Sequence, residues 1–439
     1  MSNRKLPVSA YADIMKAKLP LFFCLANKWF VYKGGVWRPA DKGQFRPQVH
    51  KELLPEQETS YMAHAVLNTL EGRGQVAPES LKSFAVMEDE GTVLLNCRNG
   101  LLRVTGADVQ LQSHSPDYRF TRQLAAAFDQ DATFQDFGDV LCYALPDEED
   151  QQLLMLFAGY TLLPHCRLHS CLICHGLGGT GKSTLWEGIA GTLGRDLVLN
   201  ISLRQLCDGK GYSVPRVRFT ALNLGNEAPS GELGESDILK SLICGEPVEV
   251  RRIYGQPETL QGYPTKFVFL GNHLPRFKSA TGAELRRLRF LQFDRKPKHI
   301  DTNLPARLAS EKDGIFTNVM IPALQCLLRC PVMPEGGVAS RAIKSRFAEE
   351  NDPMEAFLAT GCDLGSEFLV LKEELHQAFL AWAAGRDISS SLDTEEHFFR
   401  ALRARVSGLQ DKRPTINGKR PHCLKGIRLK GVQAVQVNP

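Results

Sequence analysis

The chain lacks any apolar run of the roughly 18 residues that a bilayer-crossing helix requires, so no membrane span is expected. The short apolar stretch Leu19–Ala26 passes directly into Asn27-Lys28-Trp29 with no cleavage site, and reads as core, not as a signal segment. Framework cysteine spacing is also missing. The 12 cysteines are scattered over 439 residues, a pattern of reduced thiols in a cytoplasm. Internal repeats and low-complexity segments are absent, which excludes solenoid and fibrous arrangements. Charge of one sign is scarce too: the net charge of +4 does not by itself announce a nucleic-acid partner. What remains, 43% hydrophobic and 23% charged residues, is an ordinary globular composition. The length allows roughly three domains of about 150 residues each.

Against that background one element stands out. Residues Gly176-Leu177-Gly178-Gly179-Thr180-Gly181-Lys182-Ser183 match G-x-x-x-x-G-K-[ST] in full. Glycines let backbone N–H groups converge on phosphate oxygens without Cβ clashes. Lys182 is expected at the β/γ-phosphates of ATP and the Ser183 hydroxyl on Mg²⁺. The expected contacts are Gly176, Gly178, Gly179, Thr180, Gly181, Lys182, Ser183 and Thr184. Ser170–His175 precedes the loop as an apolar strand and Thr184–Ala190 follows as a helix, the context a phosphate site at a helix N-terminus demands. The Cys171-Leu172-Ile173-Cys174-His175 run also matches a haem-attachment pattern. A strand feeding such a loop is normally buried on both faces, so both cysteines read as core. Cys326 and Cys330, four apart on an apolar helix, read the same way.

Four regions follow from the patterning. Residues 1–118 mix short strands and turns, with a hairpin around Lys33-Gly34-Gly35 and a second turning at Asn99-Gly100. Residues 119–165 read as helical, with Leu153, Leu154, Leu156, Phe157 and Tyr160 on one side. Residues 166–333 carry the nucleotide elements. Pro331–Gly337 reads as a linker, and 334–439 as a small basic domain. Between 400 and 430, ten Lys and Arg face Asp411 alone, a local excess of +9 suited to a phosphate backbone. Lys412, Arg413, Lys419 and Arg420 are the expected DNA contacts there.

Downstream of the loop, the apolar strand 218–226 delivers Glu227, placed to polarise an attacking water and help hold Mg²⁺. A helix over 237–244 stops at Gly245. A hairpin around 248–257 presents Arg251 and Arg252. A second apolar strand, 266–271, ends in Asn272, a neutral amide able to meet a γ-phosphate. Arg286 and Arg287 then precede another apolar strand. Guanidinium at a neighbouring subunit's γ-phosphate is the usual trans-acting stabiliser of phosphoryl transfer.

This array resembles the superfamily 3 helicases, AAA+ ring ATPases, and is closest to the helicase part of the phage/plasmid primase–helicase family. The likeness extends upstream through Asn99-Gly100-Leu101 and His114–Tyr118, and downstream to Lys425–Leu429. It implies an α/β protein: an AAA+ P-loop core, an N-terminal α+β domain with a helical collar, and a C-terminal winged-helix-like domain. It implies a replicative ATP-dependent helicase moving 3′→5′ on single-stranded and forked DNA as a ring, normally of six subunits. Two departures stand out. The paired acids usual after the second strand read Asn226-Glu227, and no lysine sits near the hairpin tip. No primase signature is visible in the first 115 residues, so any primase or polymerase belongs to a separate chain. Other readings stay open: a P-loop kinase or DNA-packaging motor, and an ATP-triggered DNA-binding initiator.

Overall fold

A computed structural model describes residues 5–25, 28–77, 80–207, 213–226, 232–233, 237–251, 257–277, 286–386, 388, 392–415 and 419–431. The N-terminal third begins with a three-stranded antiparallel sheet and the helices Val8–Lys18, Arg46–Glu52 and Ser60–Arg73, closed over their own core of Tyr11, Trp29 and Leu67. A four-stranded antiparallel sheet follows over residues 85–112. In its central hairpin Cys97 pairs with Gly100, so the two-residue turn is Arg98-Asn99, one position earlier than expected. The reason is tertiary. Asn99 clamps the Phe128 backbone, accepting from its N–H at 3.1 Å and donating to its carbonyl at 2.9 Å.

The 119–165 stretch is helical only from Gln135–Ala144 and Glu148–Tyr160. Before that it runs extended, with the Ala125 and Ala126 N–H groups donating to the carbonyls of Leu193 and Thr192. The first helix is capped from afar, since the Glu311 carboxylate accepts from the N–H groups of Asp136 and Phe137, both at 2.9 Å. The second is not one-sided. Asp150 and every residue from Leu153 to Tyr160 except Met155 are buried, in the same core that encloses the central sheet.

That sheet has five parallel strands in the order Leu288–Phe293, Cys171–Gly176, Lys266–Gly271, Leu222–Asn226, Val198–Leu199. Numbered by their appearance in the chain, this is 5-1-4-3-2. Alternate residues feed two cores: Leu172, Cys174, Val268 and Leu291 on one face, Cys171, Ile173, Phe269 and Phe290 on the other. Cys326 is half-buried on the helix Ile321–Arg329, but Cys330 lies past its end and is exposed.

The expected linker is firmly held. The Gly337 N–H donates to the buried Asp150 carboxylate at 2.7 Å, and Ser340 accepts from the Gln292 backbone at 3.1 Å. The helix Val338–Asn351 then lies along strand 288–293, with Phe347 buried against Phe290 and Phe277. A separate C-terminal core starts only at Met354. A chain ending at Asn351 is therefore expected to melt like the parent. One ending at Glu335 exposes the Phe277–Phe290 face and should melt roughly 5 °C lower or worse. Thermal melts of the two truncations check this.

The C-terminal module runs helix Pro353–Gly361, strand Cys362–Leu371, helices Lys372–Ala384 and Glu395–Arg405, then strands Gln410–Lys412 and Cys423–Leu429. Its antiparallel sheet has the 423–429 strand in the middle.

Candidate functional site

The loop Gly176–Ser183 leaves the sheet between two neighbours, and that placement dictates its glycines. A Cβ on Gly176 would sit 2.0 Å from the Phe293 carbonyl oxygen of the adjacent strand. Gly181, at φ 92°, turns the chain into the helix Lys182–Leu193. Gly178 and Gly179 border open space, where a Cβ would meet nothing within 4 Å. Thr180 closes the turn by donating its hydroxyl to the Leu177 carbonyl at 2.9 Å. Lys182 is buried, and its ammonium donates to the carbonyls of Gly176 (2.6 Å) and Leu177 (2.8 Å). Ser183 is exposed on the first helical turn, and Thr184 beside it is half-buried. An ammonium beside a helix N-terminus attracts a multiply charged anion.

Asn272 joins them from the neighbouring strand. Strand 266–271 pairs with 171–176 so that Gly271 lies opposite His175, which carries the Asn272 amide oxygen to 3.5 Å from the Lys182 ammonium. Arg286 and Arg287 go elsewhere. They precede Leu288, which pairs with Cys171 where the strands begin, the edge of the sheet opposite the one from which the loop leaves. Six strand residues at about 3.3 Å each put them roughly 20 Å from the loop. Two contacts within the described residues help to fix Arg287 there. Its carbonyl accepts from the Cys171 N–H at 3.0 Å, and its Nε donates to the Cys244 thiol at 2.8 Å. Cys244 ends the helix Asp237–Cys244, just before the hairpin Val248–Arg251/Pro257–Leu260. Arg251 pairs with Pro257 in that hairpin. Glu227, Arg252 and the Arg251 side chain lie outside the described residues.

Cys171 and Cys174 are fully buried, and Trp186 donates its indole N–H to the Cys174 sulfur at 3.2 Å. Burial pushes both thiols up. No group of three or more His, Cys, Asp or Glu among the described residues is arranged to hold a metal ion.

Sequence reasoning missed several groups that strand pairing brings to this sheet. At the loop edge, His175 Nδ1 donates to the Gln292 amide oxygen at 2.7 Å, and the Gln292 amide nitrogen donates to Asp294. At the far edge, Lys266 is 1% exposed and forms no ion pair with a carboxylate among the described residues. Its ammonium donates to the Leu163 carbonyl at 2.5 Å and to the Pro264 carbonyl, and lies 4.7 Å above the Tyr160 ring. Burial lowers its pKa from 10.5 to about 8. Burial and then the Lys266 charge lower His165 to about 4, and burial pushes the surrounding Tyr160, Cys166 and Tyr263 up. Between pH 8 and 10.5 the unfolded chain therefore binds the lysine proton more tightly than the fold does. Stability relative to Lys266→Met, which removes this one titration, should rise by on the order of 3 kcal/mol across that window. Urea midpoints of the two proteins at a series of pH values test the slope.

The basic 400–430 stretch is more neutral in three dimensions than along the chain. Arg400 pairs with Glu396, Arg403 with Asp411 (2.9 Å), Arg405 with Asp352 (2.8 Å) and Arg428 with Asp363 (3.0 Å). Three of those four acids lie outside the stretch. Lys412, Arg413, Lys419 and Arg420 are exposed and make no ion pair among the described residues.

Residues 12–144 match a family model described as D5 N terminal like, and residues 174–287 match a family of unknown function, DUF5906. No curated protein matches the chain. Among solved structures, the A form apo structure of the NrS-1 C terminal region shares the fold at TM-score 0.55 and 10% identity, covering 95% of this chain and 98% of the other. A second apo structure of the same region gives TM-score 0.53 at 11% identity over the same shares. The structural matches show a shared fold, and each family model spans less than a third of the chain.

Proposed function

We propose that the chain is an ATP-hydrolysing helicase of the superfamily 3, AAA+ type, translocating on single-stranded DNA as a homo-oligomeric ring. The observation that carries this is the pairing of the Lys182 ammonium with the Asn272 amide at one edge of a 5-1-4-3-2 parallel sheet, with Arg287 held at the other edge. One protomer then offers a phosphate cradle and a cation on opposite sides. That layout suits a site completed by the next subunit.

In this reading the triphosphate of ATP takes over the donors that the loop carbonyls now occupy. Lys182 turns to the β/γ-phosphates and the loop N–H groups hold the α/β oxygens. Asn272 meets the γ-phosphate without adding negative charge. Glu227 orients and polarises the attacking water. Ser183 and Glu227 are hard oxygen donors of the kind that suits Mg²⁺, which when bound offsets charge on the phosphates. The open backbone at Gly178 and Gly179 supports this fit.

The hairpin 248–260 would grip the strand, because helix 237–244 joins it to the corner holding Arg287. The test is unwinding of a forked duplex with ATP, alongside particle mass with and without ATP. Arg251→Ala/Arg252→Ala should still bind ATP but lose unwinding and DNA-stimulated hydrolysis. A wild-type chain that stays monomeric with ATP and forked DNA, or hydrolyses ATP without responding to DNA, sinks the helicase reading in favour of a kinase-like ATPase.

A further inference from the structure

The C-terminal module has the helix–strand–helix–helix–strand–strand order of a winged helix. In helix-turn-helix docking, the last helix enters the major groove and its N-terminal residues read base edges. Here that helix is Glu395–Arg405, and its N-terminal turn is unsuited to the role. Asp393, Glu395 and Glu396 are all exposed. Beside it, Glu373 opens the helix Lys372–Ala384 and shares with Glu395 and Glu396 the wall of an open groove.

The cations that could offset these acids are engaged. Arg400 pairs with Glu396 one turn away. Arg403 grips both Asp411 carboxylate oxygens at 2.9 Å, and Lys372 meets the same carboxylate at 2.6 Å. Arg405 points back to Asp352. The connection between strands 410–412 and 423–429 is the opposite case. It carries Lys412, Arg413, Lys419 and Arg420 within nine residues, all exposed and none ion-paired among the described residues.

We infer that this module holds nucleic acid by its phosphates, through the wing between strands 410–412 and 423–429, with helix 395–405 turned away from the duplex. The inference rests on the reading that the chain works on DNA. Asp393 and Glu395, which make no ion pair among the described residues, repel at the helix tip the phosphates that flank any groove, whereas four unneutralised cations release counterions on contact. Phosphate contacts carry no sequence information. The module is thus a sequence-independent clamp, and selection of a particular DNA site falls to something other than this helix.

The test uses the full chain, two labelled duplexes of unrelated sequence, and a salt series without nucleotide. The variant Lys412→Ala/Arg413→Ala/Lys419→Ala/Arg420→Ala should lose at least about 10-fold in affinity at about 0.1 M salt, equally on both duplexes, with the log–log salt slope flattened by about 3. Its melting temperature should stay that of the parent, since these side chains are exposed. Glu395→Gln/Glu396→Gln should bind as tightly as the parent or tighter. Arg400→Ala should change affinity less than about 2-fold. The inference is overturned if the quadruple variant keeps parental affinity and slope. Loss of binding on Arg400→Ala, or a strong preference for one duplex, overturns it too. Failure of unwinding or ATP turnover with wing-dependent binding intact counts instead against the helicase reading.

Discussion

Lys182→Ala should abolish ATP binding, whereas Glu227→Gln should bind ATP and turn it over at least about 100-fold more slowly. The two differ because of what each residue meets. The Lys182 ammonium is the cation inside the loop, buried and already donating to the Gly176 and Leu177 carbonyls. Its removal leaves the loop with backbone dipoles alone. The Glu227 carboxylate adds little to ground-state binding, so its loss falls on the chemical step. Asn272→Ala belongs to the second class, since its amide sits 3.5 Å from Lys182 and carries no charge. Equilibrium binding of a fluorescent ATP analogue and single-turnover hydrolysis separate the classes. Normal hydrolysis by Glu227→Gln would remove the second motif from the mechanism.

Arg287→Ala should lose ATP turnover by a comparable factor while keeping nucleotide affinity, because Arg287 lies at the sheet edge away from its own loop. Mixed with Lys182→Ala, it should regain part of the activity, since hybrid rings contain interfaces with an intact loop on one side and an intact arginine on the other. Cys244 sharpens the expectation. Burial raises its pKa, with the Arg287 charge lowering it against that, so it accepts from Arg287 as a neutral thiol. A carboxylate in its place would compete with a neighbour's γ-phosphate for the guanidinium. Cys244→Asp should therefore depress turnover and Cys244→Ser preserve most of it. Arg287→Ala and Arg286→Ala rings that form yet show no complementation would refute the trans assignment.

Much of the central architecture was legible in the chain. Residues 170–190 show strand, glycine loop and helix in contiguous order, and the structure has Cys171–Gly176 and Lys182–Leu193 there. The apolar runs ending at Gly271 and beginning at Leu288 are strands, as their composition predicts, and the run ending at Asn226 is one from Leu222, its first residues instead closing the 3-10 helix Val214–Phe219. Gly245, at φ 71°, stops its helix. Less was legible wherever a distant group satisfies a local need. Helix 135–144 is capped by Glu311, and the 98–99 turn is set by Phe128. The stretch at 331–337 has the composition of a linker, yet Asp150 holds its Gly337 backbone.

Local spacing was enough to determine the loop, its flanking elements and the residue types delivered at the strand ends, because each depends on neighbours within one or two turns of chain. Tertiary structure alone decided which strand lies beside which. A parallel strand's hydrogen-bond partner is remote in sequence, and apolar periodicity reports burial without naming the neighbour. That pairing sets Asn272 against Lys182 across 90 residues and sends Arg287 to the far edge. It also decided where charge stays unpaired in the C-terminal module, since Asp352, Asp363 and Glu396 from outside the basic stretch pair with Arg405, Arg428 and Arg400, while Lys412, Arg413, Lys419 and Arg420 make no ion pair among the described residues.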